Sequence, residues 1–172
     1  MRIAGLFLLG LLAGSSTPLA AQLPTSQTGT WLDVGLGGGN IGLTGLLGIT
    51  RRSGIHSLTL RGMASAQLKI VIFEKSRARS LTDLGLLYGV NGRASGTLFY
   101  ARAGVGAVWY HRETSDSSGD THVSAEVGVP WEAGVTKVFG RNFGIGFRVA
   151  GNVNAFKNNV AGLFIIHLGQ VW

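Results

Sequence analysis

The chain has 172 residues, of which 13% are charged and 45% hydrophobic, and its formal net charge is +7. It contains no cysteine, which excludes a disulfide framework, thiol chemistry and a lipid anchor attached to cysteine. The length suffices for one domain and is short for two. The basic residues are spread along the chain and do not form one patch, so nucleic-acid binding is not expected.

Residues 1–21 have the organisation of a secretory signal peptide. Arg2 supplies a positive charge, an apolar run of eleven residues spans 3–13, and small residues lead to Ala21. The apolar run is shorter than the roughly 18 residues of a membrane anchor. We therefore expect a mature chain of one domain at 22–172, with a net charge of +6 once Arg2 is lost.

The rest of the chain alternates apolar residues with small or polar ones. A period of two is typical of β-strands whose two faces meet different surroundings. In the first segment Leu32, Val34 and Leu36 alternate with Asp33 and glycines, whereas the second segment is blurred by adjacent leucines. The sequence predicts eight strands, at residues 30–38, 43–51, 55–65, 81–90, 97–110, 122–139, 143–152 and 161–172.

The later segments carry the clearest alternation. In the sixth, the odd positions of 123–135 are apolar, while the even positions are mostly glycine, serine and glutamate. The eighth is weaker, because Leu163 and Ile165 share the face that also carries His167. An apolar face beside a polar one, in an exported chain, indicates strands that cross a membrane as a closed barrel.

The lengths of the connections follow a second rule. The second, fourth and sixth connections are tight, at 52–54, 91–96 and 140–142, whereas the third and fifth are long. Outer-membrane barrels have short periplasmic turns and longer external loops. We therefore expect both chain ends and the tight turns on the periplasmic side. Only the first connection, which would be external, is shorter than expected.

The four acidic residues of the predicted strands, and three of their arginines, keep to the face of glycine and serine. On the lipid face, an arginine at the bilayer midplane would cost roughly 2–4 kcal/mol. An eight-stranded barrel has an interior just wide enough for side chains. The sequence therefore predicts an ion-pair network that plugs the lumen, formed by Asp33, Arg61, Asp83, Arg102, Glu126, Glu132, Arg148 and His167.

Aromatic residues on the apolar face fall near the predicted strand ends, as they do in membrane belts. The set expected at the periplasmic ends is Tyr88, Phe99, Phe139, Phe143 and Trp172, and the set expected at the external ends is Trp109 and Phe164.

The long third connection is the most basic loop. It carries Lys69, Lys75, Arg77 and Arg79, which we consider candidate contacts for lipopolysaccharide phosphates. A solvated loop without a specific partner is the alternative interpretation.

A lipid-modifying enzyme, a small pore and a soluble ligand carrier are the alternative functions. His122 and Ser124 resemble, at that one spacing, the lipid A deacylase barrels, and paired carboxylates such as Glu126 and Glu132 could perform acid-base catalysis. A structural ion-pair network explains the same carboxylates and is the leading interpretation. A lipid-modifying enzyme and a small pore are kept as alternatives, and the sequence assigns no catalytic residue, cofactor or metal. A soluble ligand carrier would need the opposite parity, with apolar residues inside.

Together these features resemble the small eight-stranded outer-membrane β-barrels, the OmpA transmembrane domain and OmpX-like group. The resemblance covers residues 22–172 as architecture. It implies an all-β, eight-stranded antiparallel up-and-down transmembrane β-barrel in the outer membrane of a Gram-negative bacterium. Its wall would be porin-like, but the ion-pair network would plug its lumen. The expected role is structural or surface-interacting.

The resemblance also implies partners. We expect a monomer surrounded by outer-membrane lipid and assembled by the barrel assembly machinery. That machinery recognises a C-terminal strand signal that usually ends in Phe, and here Trp172 stands in its place. Gln170 departs from the hydrophobic residue usual in that signal.

Overall fold

The computed structural model describes residues 28–67, 79–113, 121–155 and 157–170. They form one antiparallel sheet in which each strand pairs with the next and β8 pairs with β1, so the sheet closes into a barrel. The strands are β1 Thr28–Gly39, β2 Leu43–Ser53, β3 His56–Ala66, β4 Arg79–Ala94, β5 Thr97–Glu113, β6 Thr121–Phe139, β7 Phe143–Val153 and β8 Asn159–Gly169. The described part of the chain has no helix long and apolar enough to cross a membrane. The expected up-and-down barrel of eight strands is confirmed.

The two faces of each strand differ in burial as the alternation predicted. In the blurred second strand, Leu46 is 4% exposed and points into the barrel, whereas Leu47 is 56% exposed and points outward. In β8 Ile165 is fully buried and Phe164 is 73% exposed. Of two adjacent apolar residues, one therefore points into the lumen and the other points to the outer surface.

The two ends of the barrel differ in their connections. The three tight turns, the start of β1 and the end of β8 lie at one end, which we call the turn end, and the other four connections lie at the loop end. β4 continues to Ala94, which pairs with Thr97, so the connection expected at 91–96 shrinks to the two residues Ser95 and Gly96. Both have positive φ, 49° and 75°. Positive φ at both positions of a two-residue hairpin matches the right-handed twist of the strands, which lets pairing continue to the turn.

The outer surface is apolar around the whole barrel. Every strand presents large aliphatic or aromatic side chains outward, for example Leu84, Phe147 and Val127, the last of which is 70% exposed. Tyr88, Phe99, Phe139 and Phe143 are exposed near the turn end; Trp172 lies outside the described residues. Water-soluble monomers rarely expose apolar patches beyond a few hundred Å². A continuous apolar surface of this kind fits a lipid environment.

The core of the molecule is the lumen, and it is layered. Toward the turn end it contains an apolar cluster of Trp31, Leu98, Tyr100 and Val138. Toward the loop end lies a second cluster, formed by Leu46, Met63, Ala150, Ala161, Leu163 and Ile165. Buried charged side chains occupy the level between them. The apolar layers were not anticipated, because the inward face was expected to carry small and polar residues.

Candidate functional site

A cluster of charged side chains occupies the middle of the lumen. Seven of the eight strands each contribute one fully buried member, and the exception, β2, contributes Thr50. The seven charged or titratable members are Asp33, Arg61, Asp83, Arg102, Glu132, Arg148 and His167. We refer to them as the lumen cluster.

Glu132 is in contact with all three arginines of the lumen cluster. Its Oε1 accepts a hydrogen bond from Arg102 Nη1 at 2.8 Å, and its Oε2 accepts one from Arg148 Nη1 at 3.1 Å. Arg61 Nη1 lies 3.7 Å from Oε2. One carboxylate on β6 therefore links β3, β5 and β7 through the lumen.

Asp33 is the second shared carboxylate. Its Oδ2 accepts a hydrogen bond from Arg148 Nη2 at 2.7 Å and lies 3.8 Å from Arg102 Nη1. On its other oxygen, Oδ1 lies 2.6 Å from Nδ1 of His167 on the adjacent strand β8. The hydrogen bond from Arg148 joins two charged groups, and such bonds are about twice as strong as neutral ones. Asp33 therefore ties the closing seam of the barrel, between β1 and β8, to the opposite wall.

Arg61 fixes the remaining side of the cluster. Its Nη2 donates to Asp83 Oδ1 at 2.8 Å and to the carbonyl oxygen of Gly151 at 3.2 Å. Its Nη1 donates to the carbonyl oxygen of Trp131 at 3.1 Å. The side chain thus crosses the lumen from β3 and binds the backbone of β6 and β7.

Aromatic rings close the cluster toward the turn end. Tyr100 Oη accepts a hydrogen bond from Arg148 Nε at 2.8 Å, and its ring centre lies 4.4 Å from the guanidinium carbon of Arg102. Trp31 lies on another side of Arg102, at 5.7 Å. Cation–π contacts of desolvated arginines are worth about 2 kcal/mol or more. The charge pattern of the sequence did not predict Trp31 and Tyr100 as site residues. A signal was present, because each lies two residues before a charged member of the cluster, Asp33 or Arg102, and so points to the same face of its strand.

Glycines leave the space that these long side chains fill. A Cβ at Gly134 would collide with Tyr100 Oη, and a Cβ at Gly89 would collide with Arg102. At Gly134 the ring of Tyr100 therefore occupies the space that a larger residue would need, whereas at inward glycines such as Gly37 and Gly146 the nearest atom is a backbone oxygen.

The formal charges of the cluster balance. Three guanidinium groups face three carboxylates, and the distances between their charged atoms range from 2.7 to 3.8 Å. Burying a charge without a partner costs several kcal/mol, and close, hydrogen-bonded partners offset that cost. The ion pairs therefore fix the position of each charged side chain. Within the described residues, no group of three or more His, Asp or Glu side chains could hold a metal ion.

Glu126 stands apart from the lumen cluster, which corrects the expected membership. It lies six residues from Glu132 along β6, a rise of roughly 20 Å. There its Oε2 accepts a hydrogen bond from the backbone N–H of Ala155, at the loop end. Strand parity identifies the face of a residue but not its height in the barrel, so the two glutamates could not be separated from sequence.

Most of the residues predicted to contact lipopolysaccharide or to form the C-terminal signal have no described position. Lys69, Lys75, Arg77 and Trp172 lie outside the described residues, and Arg79 is the first residue of β4. His122 and Ser124 lie in the loop-end part of β6, where Ser124 is exposed and pairs with Tyr110.

Known proteins resemble this chain in fold but not in sequence. No protein-family model matches the chain, and no curated protein sequence matches it. Solved structures of similar fold include the following three. The N-terminal β-barrel domain of Pseudomonas aeruginosa OprF has a TM-score of 0.61 and 15% identity, covering 84% of this chain and 99% of that one. Neisserial surface protein A has a TM-score of 0.55 and 14% identity, covering 84% and 96%. Ail, the attachment invasion locus protein of Yersinia pestis, has a TM-score of 0.51 and 10% identity, covering 83% and 96%.

The class of protein follows from these findings together. The neighbours are small eight-stranded outer-membrane barrels, and their identities of 10–15% make the likeness one of fold. The apolar outer surface is the independent, physical reason to place this barrel in lipid. The chain is an outer-membrane β-barrel protein by fold and surface, as the sequence predicted, and the cell outer membrane is the location that this class implies.

Proposed function

We propose that the protein is a monomeric outer-membrane barrel of a Gram-negative bacterium with a closed lumen, and that it has a structural or surface-interaction role through its loop end. The observation that carries the proposal is the lumen cluster, in which arginines from β3, β5 and β7 meet the same glutamate on β6. A barrel used for transport would need that volume for its solute.

Two further features support closure. The cluster lies between apolar layers, which contain Trp31 toward the turn end and Leu163 and Ile165 toward the loop end. A hydrophobic constriction opposes ion passage because water leaves it. Ions crossing this lumen would have to separate the charge pairs and pass both apolar layers.

The loop end is the proposed interaction surface. Lys69, Lys75 and Arg77 belong to the long third connection and Arg79 begins β4 directly after it, so phosphates of lipopolysaccharide would find several cations there. Ail, which shares the fold, has been crystallised in complex with the heparin analogue sucrose octasulfate, a polyanionic sugar. We further propose that residues 1–21 direct export and that Trp172 belongs to the strand signal for the barrel assembly machinery.

The test uses the full chain expressed in a Gram-negative host and purified from the outer-membrane fraction. We expect the unheated protein to migrate faster than the heated protein on gels, to insert into liposomes and to give no discrete conductance steps in planar bilayers. Regular conductance steps would overturn the closed lumen and favour a small pore. Recovery of the folded protein from the soluble periplasm would overturn the membrane placement.

A further inference from the structure

The turn end of the barrel is basic. Five basic residues flank its tight turns, and the segments 51–57, 93–97 and 137–143 contain no Asp or Glu. The five are Arg51, Arg52, Arg93, Lys137 and Arg141. An anionic membrane surface attracts each such residue with about 1 kcal/mol. Charge alone would, however, act diffusely around the whole rim.

One part of this rim has the shape of a binding site. A cleft of about 210 Å³ lies at the β2–β3 hairpin beside β4. Arg51, Ser53 and His56 form its polar part, and Leu58 and Tyr88 form its apolar part. Pairing of Arg51 with Leu58, and of Leu58 with Tyr88, places the three in one row on the outer face. The cleft therefore opens where the apolar belt meets the basic rim.

The side chains of the cleft include an ordered aromatic pair and an exposed arginine. Tyr88 Oη lies 2.6 Å from His56 Nδ1, and the two rings are stacked 5.7 Å apart at 16°. The exposed Arg51 has no ion pair with any described residue. Arg52 also borders the cleft, and its buried Nε lacks a hydrogen-bond partner in the described structure. Because Arg52 is buried on the inward face of β2, the exposed Arg51 is the cation that faces outward, and with no carboxylate paired to it among the described residues an anion is the favoured partner.

We propose that this cleft binds the phosphate headgroup of an anionic phospholipid in the leaflet around the turn end. Arg51 is the principal ion-pair partner, Ser53 donates to a phosphate oxygen, and an acyl chain runs along Leu58 and Tyr88. Their exposure of 49% and 58% leaves room for that chain. Guanidinium groups suit this role because they bind phosphate oxygens in pairs. The inference rests on the membrane placement proposed above.

The experiment measures binding by native mass spectrometry of the full-chain protein purified from the outer membrane in detergent. The probes are phosphatidylglycerol, phosphatidylcholine and inorganic phosphate, each titrated separately. We expect one phosphatidylglycerol to bind more tightly than phosphatidylcholine, and inorganic phosphate to bind far more weakly than either lipid. Arg51→Gln should weaken phosphatidylglycerol binding roughly fivefold, the effect of one basic residue near an anionic surface.

The matched control is Arg141→Gln, which removes the same charge from the β6–β7 turn of the same end. It should leave the tightest phosphatidylglycerol site unchanged, and Arg51→Lys should restore only part of the affinity, because lysine keeps the charge but not the paired donors. Equal weakening by Arg51→Gln and Arg141→Gln would overturn the cleft in favour of a diffuse basic rim. Equal binding of the two lipids, or tight binding of free phosphate, would overturn the anionic lipid as occupant. If the barrel inserts into liposomes but gives one of these overturning outcomes, only the lipid-binding inference is refuted. If the barrel fails to insert, the proposed function is refuted as well.

Discussion

Arg102 on β5 reaches to within 3.8 Å of Asp33 on β1, the strand directly opposite in the eight-stranded barrel. The same guanidinium donates to Glu132 on the adjacent strand and to Thr50 on β2. Such a contact requires side chains to cross the full width of the lumen. The middle layer of the lumen therefore consists of charged and polar side chains that connect opposite walls, and its contribution to stability can be measured residue by residue.

Glu132→Ala should be among the most destabilising single substitutions. It removes the shared partner of three buried arginines, and removing one side of a buried ion pair costs about 3–5 kcal/mol. The measurement is the free energy of unfolding in urea, in lipid vesicles, followed by tryptophan fluorescence. Glu126→Ala is the control, because its carboxylate lies at the loop end and should change stability by about 0.5 kcal/mol or less. Equal effects of the two substitutions would refute the separate placement of the two glutamates.

Arg61 and Asp83 should be energetically coupled. Their charged atoms are 2.8 Å apart and both side chains are buried. In a double-mutant cycle of Arg61→Ala and Asp83→Ala, we expect a coupling energy of about 1–3 kcal/mol, because either single variant leaves a charge without its partner. Free energies that add within about 0.5 kcal/mol would contradict the ion pair.

Gly134→Ala should destabilise the barrel although it adds only a methyl group. The new Cβ would collide with Tyr100 Oη, and overpacking of this kind costs about 1–3 kcal/mol. Gly45→Ala is the matched control, since a Cβ there meets nothing within 4 Å. The comparison uses urea midpoints in vesicles. An unchanged midpoint for Gly134→Ala would mean that Tyr100 is free to move away from Arg148.

Leu86→Arg should cost far more than Ile55→Arg. Both leucine and isoleucine are exposed on the barrel, but Leu86 is near the middle of β4 and Ile55 is in a turn. An arginine facing lipid costs roughly 2–4 kcal/mol at the midplane and about 0–1 near the interface. Urea unfolding in vesicles gives both values. Similar small costs at the two sites would show that the outer face of β4 is not surrounded by lipid.

Strand alternation was sufficient to predict much of this structure. It identified the inward positions of Asp33, Arg102 and Glu132 because a one-residue shift would place each of them in lipid. Local turn chemistry was less decisive, since the tightness of the Ser95–Gly96 hairpin depends on two positive φ angles that the run of polar residues concealed.

What alternation could not supply is the height of each residue and its choice of partner. Glu126 and Glu132 have the same parity, yet only Glu132 is level with the three arginines. Inward apolar residues such as Leu163 and Ile165 weakened the pattern of β8 because the lumen contains an apolar layer as well as a charged one. Both features depend on contacts between strands that are distant in sequence.

The central claim, a lipid-facing barrel with a filled and closed lumen, is tested most directly by spin labels scanned along β6. The chain has no cysteine, so single cysteines at 127–136 can each carry one nitroxide. We expect, for variants that keep heat-modifiable migration, high collision rates with oxygen at odd positions such as 127 and 133. Labels at even positions such as 130 and 136 should show low rates with both oxygen and a water-soluble nickel complex. High rates with the nickel complex at even positions would reveal an open pore, and low oxygen rates at odd positions would contradict the lipid-facing surface.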